Sequence, residues 1–467
     1  MGLETAEPLA ERIERVLEAQ RRLFASGATR AVPFRREQLR RLQDAVERRA
    51  ARLLEALRED MRKPPLEAWT SEVQVVLDEA KFARRHLERW AAPRRVPTPW
   101  LHRPGSSRVE PEPRGVVLIL GPWNYPVQLV LAPLVGALAA GNTAVLKPSE
   151  VARHASAACA ELVRETFAEE EVAVFEGGAE TAEALLARPF DYLFFTGGER
   201  VGRRVMEAAA RRLTPLTLEL GGKSPCLVDR SVDPRRAARR IAWGKFFNAG
   251  QTCVAPDYVL AHRAVRPRLV EELCAAVRAF YGPDPRRSPD FARIVNERHV
   301  ARLAALIPPR PACGGEVVVE ERYVAPTVID SVGWDDPLMA EEIFGPLLPV
   351  LEFDDIEEAV RRVAARPRPL ALYVFANDER FVERALRGIP SGGACVNDTM
   401  RQVTTPHLPL GGLGASGFGR YRGRAGFETF SHLRSVMRRG WSFDPGLVFP
   451  PYRVSLERLR TLVRWTS

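Results

Sequence analysis

The chain has 467 residues and a mass of 52.1 kDa, more than one simple core organises, so length alone suggests roughly two to four domains. Its 46% hydrophobic and 27% charged content excludes disordered and fibrous classes and fits a soluble globular enzyme. The net charge of +10 comes from arginines interleaved with glutamates, as in Glu11-Arg12 and Glu47-Arg48-Arg49; that is the pattern of solvated helix faces, and a nucleic-acid binder would cluster its charge.

Residues 1–91 are helical in period, with Ile13, Val16, Leu17, Leu39, Leu42 and Val46 at three- and four-residue spacing, broken at Pro64-Pro65. Pro93 to Pro113 lacks periodicity and reads as a linker or a hairpin. Residues 115–146 carry no charge, yet Pro122, Asn124, Pro126, Pro133 and Asn142 interrupt them, so no membrane-spanning helix is expected. The segment reads as a buried strand, a loop, a buried helix and a second strand. Further buried strands are expected at Val172–Phe175, Tyr192–Phe195 and Leu216–Leu220, alternating with crossover helices. That alternation implies a parallel α/β sheet covered on both faces. Helices at 234–248 and 266–281 lead into a second α/β series through Ala371–Phe375, and a glycine-rich stretch at 411–423 precedes a tail.

Six cysteines (159, 226, 253, 274, 313 and 395) form no C-x-x-C pair, which gives neither a disulfide framework nor a zinc site and implies a reducing compartment. The N-terminus has no signal-peptide pattern, so a cytoplasmic location is expected. Lysine occurs only at 63, 81, 147, 223 and 245, leaving arginine to supply 64 of 69 basic residues. A retained lysine marks a place where a compact ammonium is needed.

Four stretches have chemical potential, and each also has a plain structural reading. Phe194 to Gly202 ends a strand and enters a helix, where glycines and free N–H groups suit phosphate, although the G-x-G-x-x-G fingerprint is absent. It equally describes an ordinary turn. Glu219 lies inside the apolar run Leu218-Glu219-Leu220, where burial raises a carboxyl pKa and suits a base. It could instead pair with Lys223. Cys253 sits beside Gly250 and polar amides in Asn248–Val254, which offers a thiolate access and donors; a cysteine is otherwise a small core residue. Asn124, fixed between Pro122 and Pro126, has an amide able to face developing negative charge or merely to satisfy the turn.

Taken together and in order, these stretches resemble the aldehyde dehydrogenase superfamily, most closely its class 3 branch. The resemblance spans about residues 10–440 and rests on GPWNYP (121–126), LKPSE (146–150), FTGG (195–198), LELGGKSP (218–225), NAGQTCVAPDY (248–258), EEIFGP (341–346) and LPLGGLGASGFGRYRG (408–423). Two positions depart from the branch: Gly198 where many members have Ser, and Leu410 where Phe is common. The tail from Leu447 to Ser467, with Arg453, Glu457, Arg458, Arg460 and Arg464, lacks a long apolar anchor.

The resemblance implies a Rossmann-like parallel-sheet cofactor domain (1–92 and 111–219), a second α/β catalytic domain (220–420), a small β bridging element for oligomerisation (93–110 and 421–440) and a tail (441–467). It implies a homodimer. It assigns Cys253 as nucleophile, Asn124 with the Cys253 N–H as oxyanion donors, and Glu219 as the base that hydrolyses the acyl-enzyme. Lys147 and Glu150 would hold the adenosine ribose of NAD, with NADP also possible. Gly197, Gly198 and Gly202 would lie by the pyrophosphate, and Trp123, Glu342 and Phe344 by the nicotinamide half. The implied reaction is oxidation of an aldehyde, aromatic or medium-to-long aliphatic, to its acid. Acyl transfer to coenzyme A and a non-catalytic binding role are the alternatives. Glu219 argues against the first, and the complete set of motif residues against the second.

Overall fold

The computed structural model describes residues 7–99, 102–441, 449–452 and 454–464; Leu447, Arg453 and Ser467 of the tail lie outside the described residues. Two six-stranded sheets carry the architecture. In the first, Leu216–Glu219, Tyr192–Thr196, Val116–Leu120, Thr143–Lys147 and Val172–Val174 lie side by side and parallel. The short strand Gly417–Phe418 closes its edge antiparallel to Leu216–Glu219. In the second, all pairs are parallel: Thr327–Ile329, Leu347–Phe353, Tyr258–His262, Pro225–Val228, Ala371–Phe375 and Gly393–Val396. The expectation of a parallel α/β protein is met.

The uncharged stretch shows why both faces of the first sheet are covered. Side chains alternate across a strand, so Val116, Leu118 and Leu120 pack on one face with Ile13, Val16 and Leu17 of the helix Leu9–Ala25. Val117 and Ile119 turn the other way, into the core that contains Leu39, Leu42 and Val46 of the helix Val32–Met61. The helix Gln128–Ala140 is buried along its whole length, and Pro133 lies inside it. At 13 residues it is too short for a bilayer, and no helix among the described residues is long and apolar enough to cross a membrane.

The stretch Pro93 to Pro113 contains two strands. Arg94–Val96 and Gly105–Pro113 pair antiparallel, and Ser431–Arg439 joins the latter to make a three-stranded sheet. Ser431–Arg439 forms its edge and leaves Leu433 and Met437 half exposed. The sequence shows no alternation here because most of these side chains are only partly buried.

Candidate active site

In an open parallel sheet, functional groups collect where strands end at their carboxyl side. Here that edge gathers the expected residues. The turn Gly121–Asn124 follows the strand Val116–Leu120, and Lys147 ends Thr143–Lys147. Thr196-Gly197-Gly198 follows Tyr192–Thr196, and Glu219 ends Leu216–Glu219. Register fixes their order, because Leu120 pairs with both Lys147 and Phe195 while Thr196 pairs with Glu219.

Glu219 is 4% exposed, and its Oε1 is buried without a hydrogen-bond partner. The alternative of an ion pair with Lys223 is not realised, since the Lys223 ammonium donates to Asp257 and to the Leu338 and Glu341 carbonyls. Burial therefore holds the Glu219 carboxyl far above the usual carboxylate range, with Arg422 opposing it. The antiparallel strand Gly417–Phe418 seals this side. A Cβ on Gly417 would stand 1.9 Å from the Leu218 carbonyl oxygen, so only glycine allows so close an approach.

Cys253 comes from the other half of the chain, after the helix Pro234–Phe246 and before the strand Tyr258–His262. The helix stops where Asn248, Ala249 and Gly250 adopt left-handed backbone at φ 54°, 51° and 74°. Two of the three are not glycine, a strain of roughly 1–2 kcal/mol each that the surrounding contacts must offset. Those contacts are numerous. The Asn248 Nδ2 donates to the Asn124 carbonyl at 3.0 Å and to the Gln251 carbonyl at 3.2 Å. Gln251 is sealed in, donating to the Asn248 and Arg293 carbonyls and accepting from the Val295 N–H. Tyr125 and Thr252 join hydroxyls at 2.6 Å, and Tyr373 donates to the Val254 carbonyl.

Asn124, 3% exposed, donates from Nδ2 to the Gln251 carbonyl at 3.0 Å. One amide hydrogen is so engaged and the other stays available. The turn bearing Asn124 is held from beneath. Glu72 Oε2 accepts from the Val127 and Gln128 N–H groups at the start of a helix, while its Oε1 takes the Lys63 ammonium at 2.7 Å. Lys63 also stands 4.0 Å from the centre of the Tyr125 ring. Tyr125 is thus a structural tie and not an open wall of the site.

Cys253 is half-buried, and its thiol is pushed up to about 12 by burial first and then by the charges of Glu342 and Glu219. The N–H groups of Cys253 and Val254 act in the opposite direction. The charges of Glu219 and Glu342 thus both act on the Cys253 sulfur. Glu342 accepts from the Gly222 N–H and sits against Gly221, where a Cβ would lie 2.0 Å from its Oε2. Burial lifts its carboxyl to about 8. Next to it, Ile343 N–H donates to Asp257, the residue that also takes Lys223 and lies 4.0 Å from the buried Lys245. Phe344 is held at φ 48°, with its ring 5.3 Å from Trp123. The His299 ring also lies 5.3 Å from the same indole.

On the remaining strand ends, Lys147 donates to Glu150 at 2.6 Å. Gly198 opens the 12-residue helix Glu199–Ala210 with no side-chain cap, and a Cβ there would meet nothing within 4 Å. Gly202 lies one turn into the helix against Leu220. The Thr196 hydroxyl is buried and unpartnered. Uncapped helix N–H groups, open space and orphaned polar atoms at one sheet edge are what a dinucleotide's phosphates and hydroxyls would satisfy.

Residues 3–436 match the Aldehyde dehydrogenase family. The chain belongs to the aldehyde dehydrogenase family. It is 42% identical over 455 residues to 4,4'-diaponeurosporen-aldehyde dehydrogenase of Staphylococcus aureus, covering 97% of this chain and 99% of that one. It is 44% identical over 460 residues to human aldehyde dehydrogenase family 3 member B1, covering 98% and 97%. A substrate-bound Staphylococcus aureus AldH structure superposes with a TM-score of 0.94 at 41% identity, covering 97% and 99%. An indole-3-acetaldehyde dehydrogenase complexed with NAD+ superposes at 0.85 with 27% identity, covering 92% and 89%.

This aldehyde dehydrogenase has supporting residues to which the sequence reading assigned no role. Glu67, Glu72, Gln251, Thr252 and Asp257 brace the site through hydrogen bonds to partners distant in the chain, and the Arg422 charge acts on Glu219. One signal did exist. Of the five lysines, Lys63 is 1% and Lys245 0% exposed, and Lys147 and Lys223 each hold a carboxylate.

Proposed function

We propose that this aldehyde dehydrogenase oxidises aromatic or medium-to-long aliphatic aldehydes to carboxylic acids through a covalent Cys253 adduct. The observation that carries the mechanism is the buried Glu219 carboxyl, its Oε1 unpartnered, whose charge acts on the Cys253 thiol. NAD, and NADP as a second acceptor, would supply the hydride acceptor when bound. Lys147 and Glu150 would hold the adenosine ribose, Gly197, Gly198 and Gly202 would admit the pyrophosphate at the helix start, and Glu342, Phe344 and Trp123 would frame the nicotinamide half.

The Cys253 thiol loses its proton to solvent water and adds as thiolate to the aldehyde carbon, and the oxyanion takes hydrogen bonds from the free Asn124 amide hydrogen and the Cys253 N–H. Such a donor typically lowers the barrier by about 3 kcal/mol. Loss of hydride leaves a thioester on Cys253. Glu219, raised by burial, ionises as water enters and takes a proton from that water, which hydrolyses the thioester. The assembly that fits this reading is a homodimer using the three-stranded sheet, in the cytoplasm, with cofactor (1–92, 111–219), catalytic (220–420) and bridging (93–110, 421–440) parts and a tail (441–467).

A panel from benzaldehyde to long-chain aldehydes, run with NAD and NADP in parallel and without coenzyme A, tests the reading. Cys253→Ala is expected to abolish both turnover and the first burst of reduced cofactor. Glu219→Gln is expected to keep the burst and lose turnover. A coenzyme A requirement for product release would replace hydrolysis with acyl transfer, and Glu219→Gln lacking the burst would remove its assigned role.

A further inference from the structure

We propose that Glu67 is a positioning residue for the nucleophile, holding the left-handed Asn248–Gly250 segment that aims Cys253. The inference rests on Cys253 being the nucleophile. Glu67 belongs to the short helical turn Pro65–Ala68, which follows the helix Val32–Met61, far in sequence from the reacting sulfur. Its Oε2 accepts from the Asn248 backbone N–H at 3.0 Å. That N–H lies just past the end of the helix Pro234–Phe246 in buried surroundings, where an unpaired donor is costly. The bond therefore ties down the first residue of a segment whose backbone would otherwise relax.

The consequence reaches both reacting groups. Asn248 also bonds, through Nδ2, the carbonyls of Asn124 and Gln251, and Asn124 bonds the Gln251 carbonyl in turn. Displacing Asn248 would shift the oxyanion donor and the thiol together. A position error of about 1 Å in such a constellation typically costs about 100-fold in rate.

A carboxylate suits this place for a second reason. Four titratable groups face Glu67: Lys63 on its own segment, Asp290, Tyr281 at the end of the helix Arg266–Tyr281, and Tyr125. Burial raises the carboxyl to about 7, the Asn248 N–H and Lys63 oppose the rise, and Asp290 adds to it. The ionised form accepts more strongly than the neutral acid. The grip on the loop thus tightens as pH rises through neutrality.

The test compares the full-length wild type, Glu67→Gln, Glu67→Ala and Cys253→Ala. Turnover, melting temperature and the iodoacetamide alkylation rate of the Cys253 peptide, read by mass spectrometry, are followed from about pH 5.5 to 9.5. Wild-type alkylation should show an inflection near pH 7 superimposed on thiol ionisation. Glu67→Gln keeps an acceptor oxygen, so turnover should stay within about 3-fold of wild type while the inflection disappears. Glu67→Ala should lose about 10-fold or more in kcat with an unchanged KM for NAD. Persistence of the inflection in Glu67→Gln overturns the proposal. So does a Glu67→Ala enzyme with wild-type kcat, or one whose loss follows its melting temperature alone. Turnover by Cys253→Ala would overturn the nucleophile assignment itself, and with it this inference.

Discussion

Replacing Glu342 by Gln isolates the effect of one charge on the Cys253 thiol. The Cys253 thiol stands at about 12 against an ordinary 9.0, with burial the largest cause, Glu342 the second and Glu219 the third. Each tenfold change in thiolate population corresponds to one pH unit, so the cleft suppresses the thiolate about 1000-fold. Burial is the largest contributor to that factor and Glu342 the second; for one neighbouring charge a change of about 3- to 10-fold corresponds to about 0.5 to 1 pH unit. Glutamine retains the oxygen that accepts from Gly222 and removes the charge. Glu342 itself ionises near pH 8, so its repulsion is absent below about pH 7 and complete above about pH 9. Alkylation of Cys253 in cofactor-free Glu342→Gln should therefore match wild type at about pH 6.5 and exceed it about 3- to 10-fold at about pH 9.5. Iodoacetamide kinetics with peptide mass spectrometry provide the assay. A ratio of one at every pH, or a slower variant at high pH, would refute the electrostatic argument.

Glu219→Gln should alter stability as well as turnover. The folded enzyme keeps a proton that the unfolded chain releases above about 4.5, so Glu219 lowers stability progressively as pH rises from there towards its raised value. The melting-temperature gain of Glu219→Gln over wild type should be smallest at about pH 5 and grow as pH rises from there, and a constant gain would contradict the sign. Lys63→Met leaves Glu72 as a buried, uncompensated carboxylate beneath the Asn124 turn and should cost about 3–5 kcal/mol in urea unfolding, with part restored by adding Glu72→Gln. Gly250→Ala forces a Cβ to 2.2 Å from the Gly345 carbonyl oxygen at φ 74°. Loss of more than about 2 kcal/mol together with the reduced-cofactor burst is expected, and a fully active, stable Gly250→Ala enzyme would show that the loop tolerates a different backbone.

The sequence by itself determined the parallel α/β class, because hydrophobic runs such as Val116–Leu120 and Tyr192–Phe195 reflect burial on both faces, a local property. Glu219, Cys253 and Asn124 were legible only as members of an ordered set of motifs, because each alone describes an ordinary paired carboxylate, core residue or turn residue. The helix read as 234–248 ends at Phe246, for the left-handed turn at Asn248 and Ala249 is imposed by distant partners and not by local propensity. Tertiary structure alone decided which polar groups meet. Glu67 finds Asn248 across 181 positions, Asn124 finds Gln251 across 127, and Lys223 chooses Asp257 over the nearer Glu219. Periodicity records how deeply a residue is buried, whereas the partner of a buried charge depends on which strands and turns the completed sheets bring to the same edge.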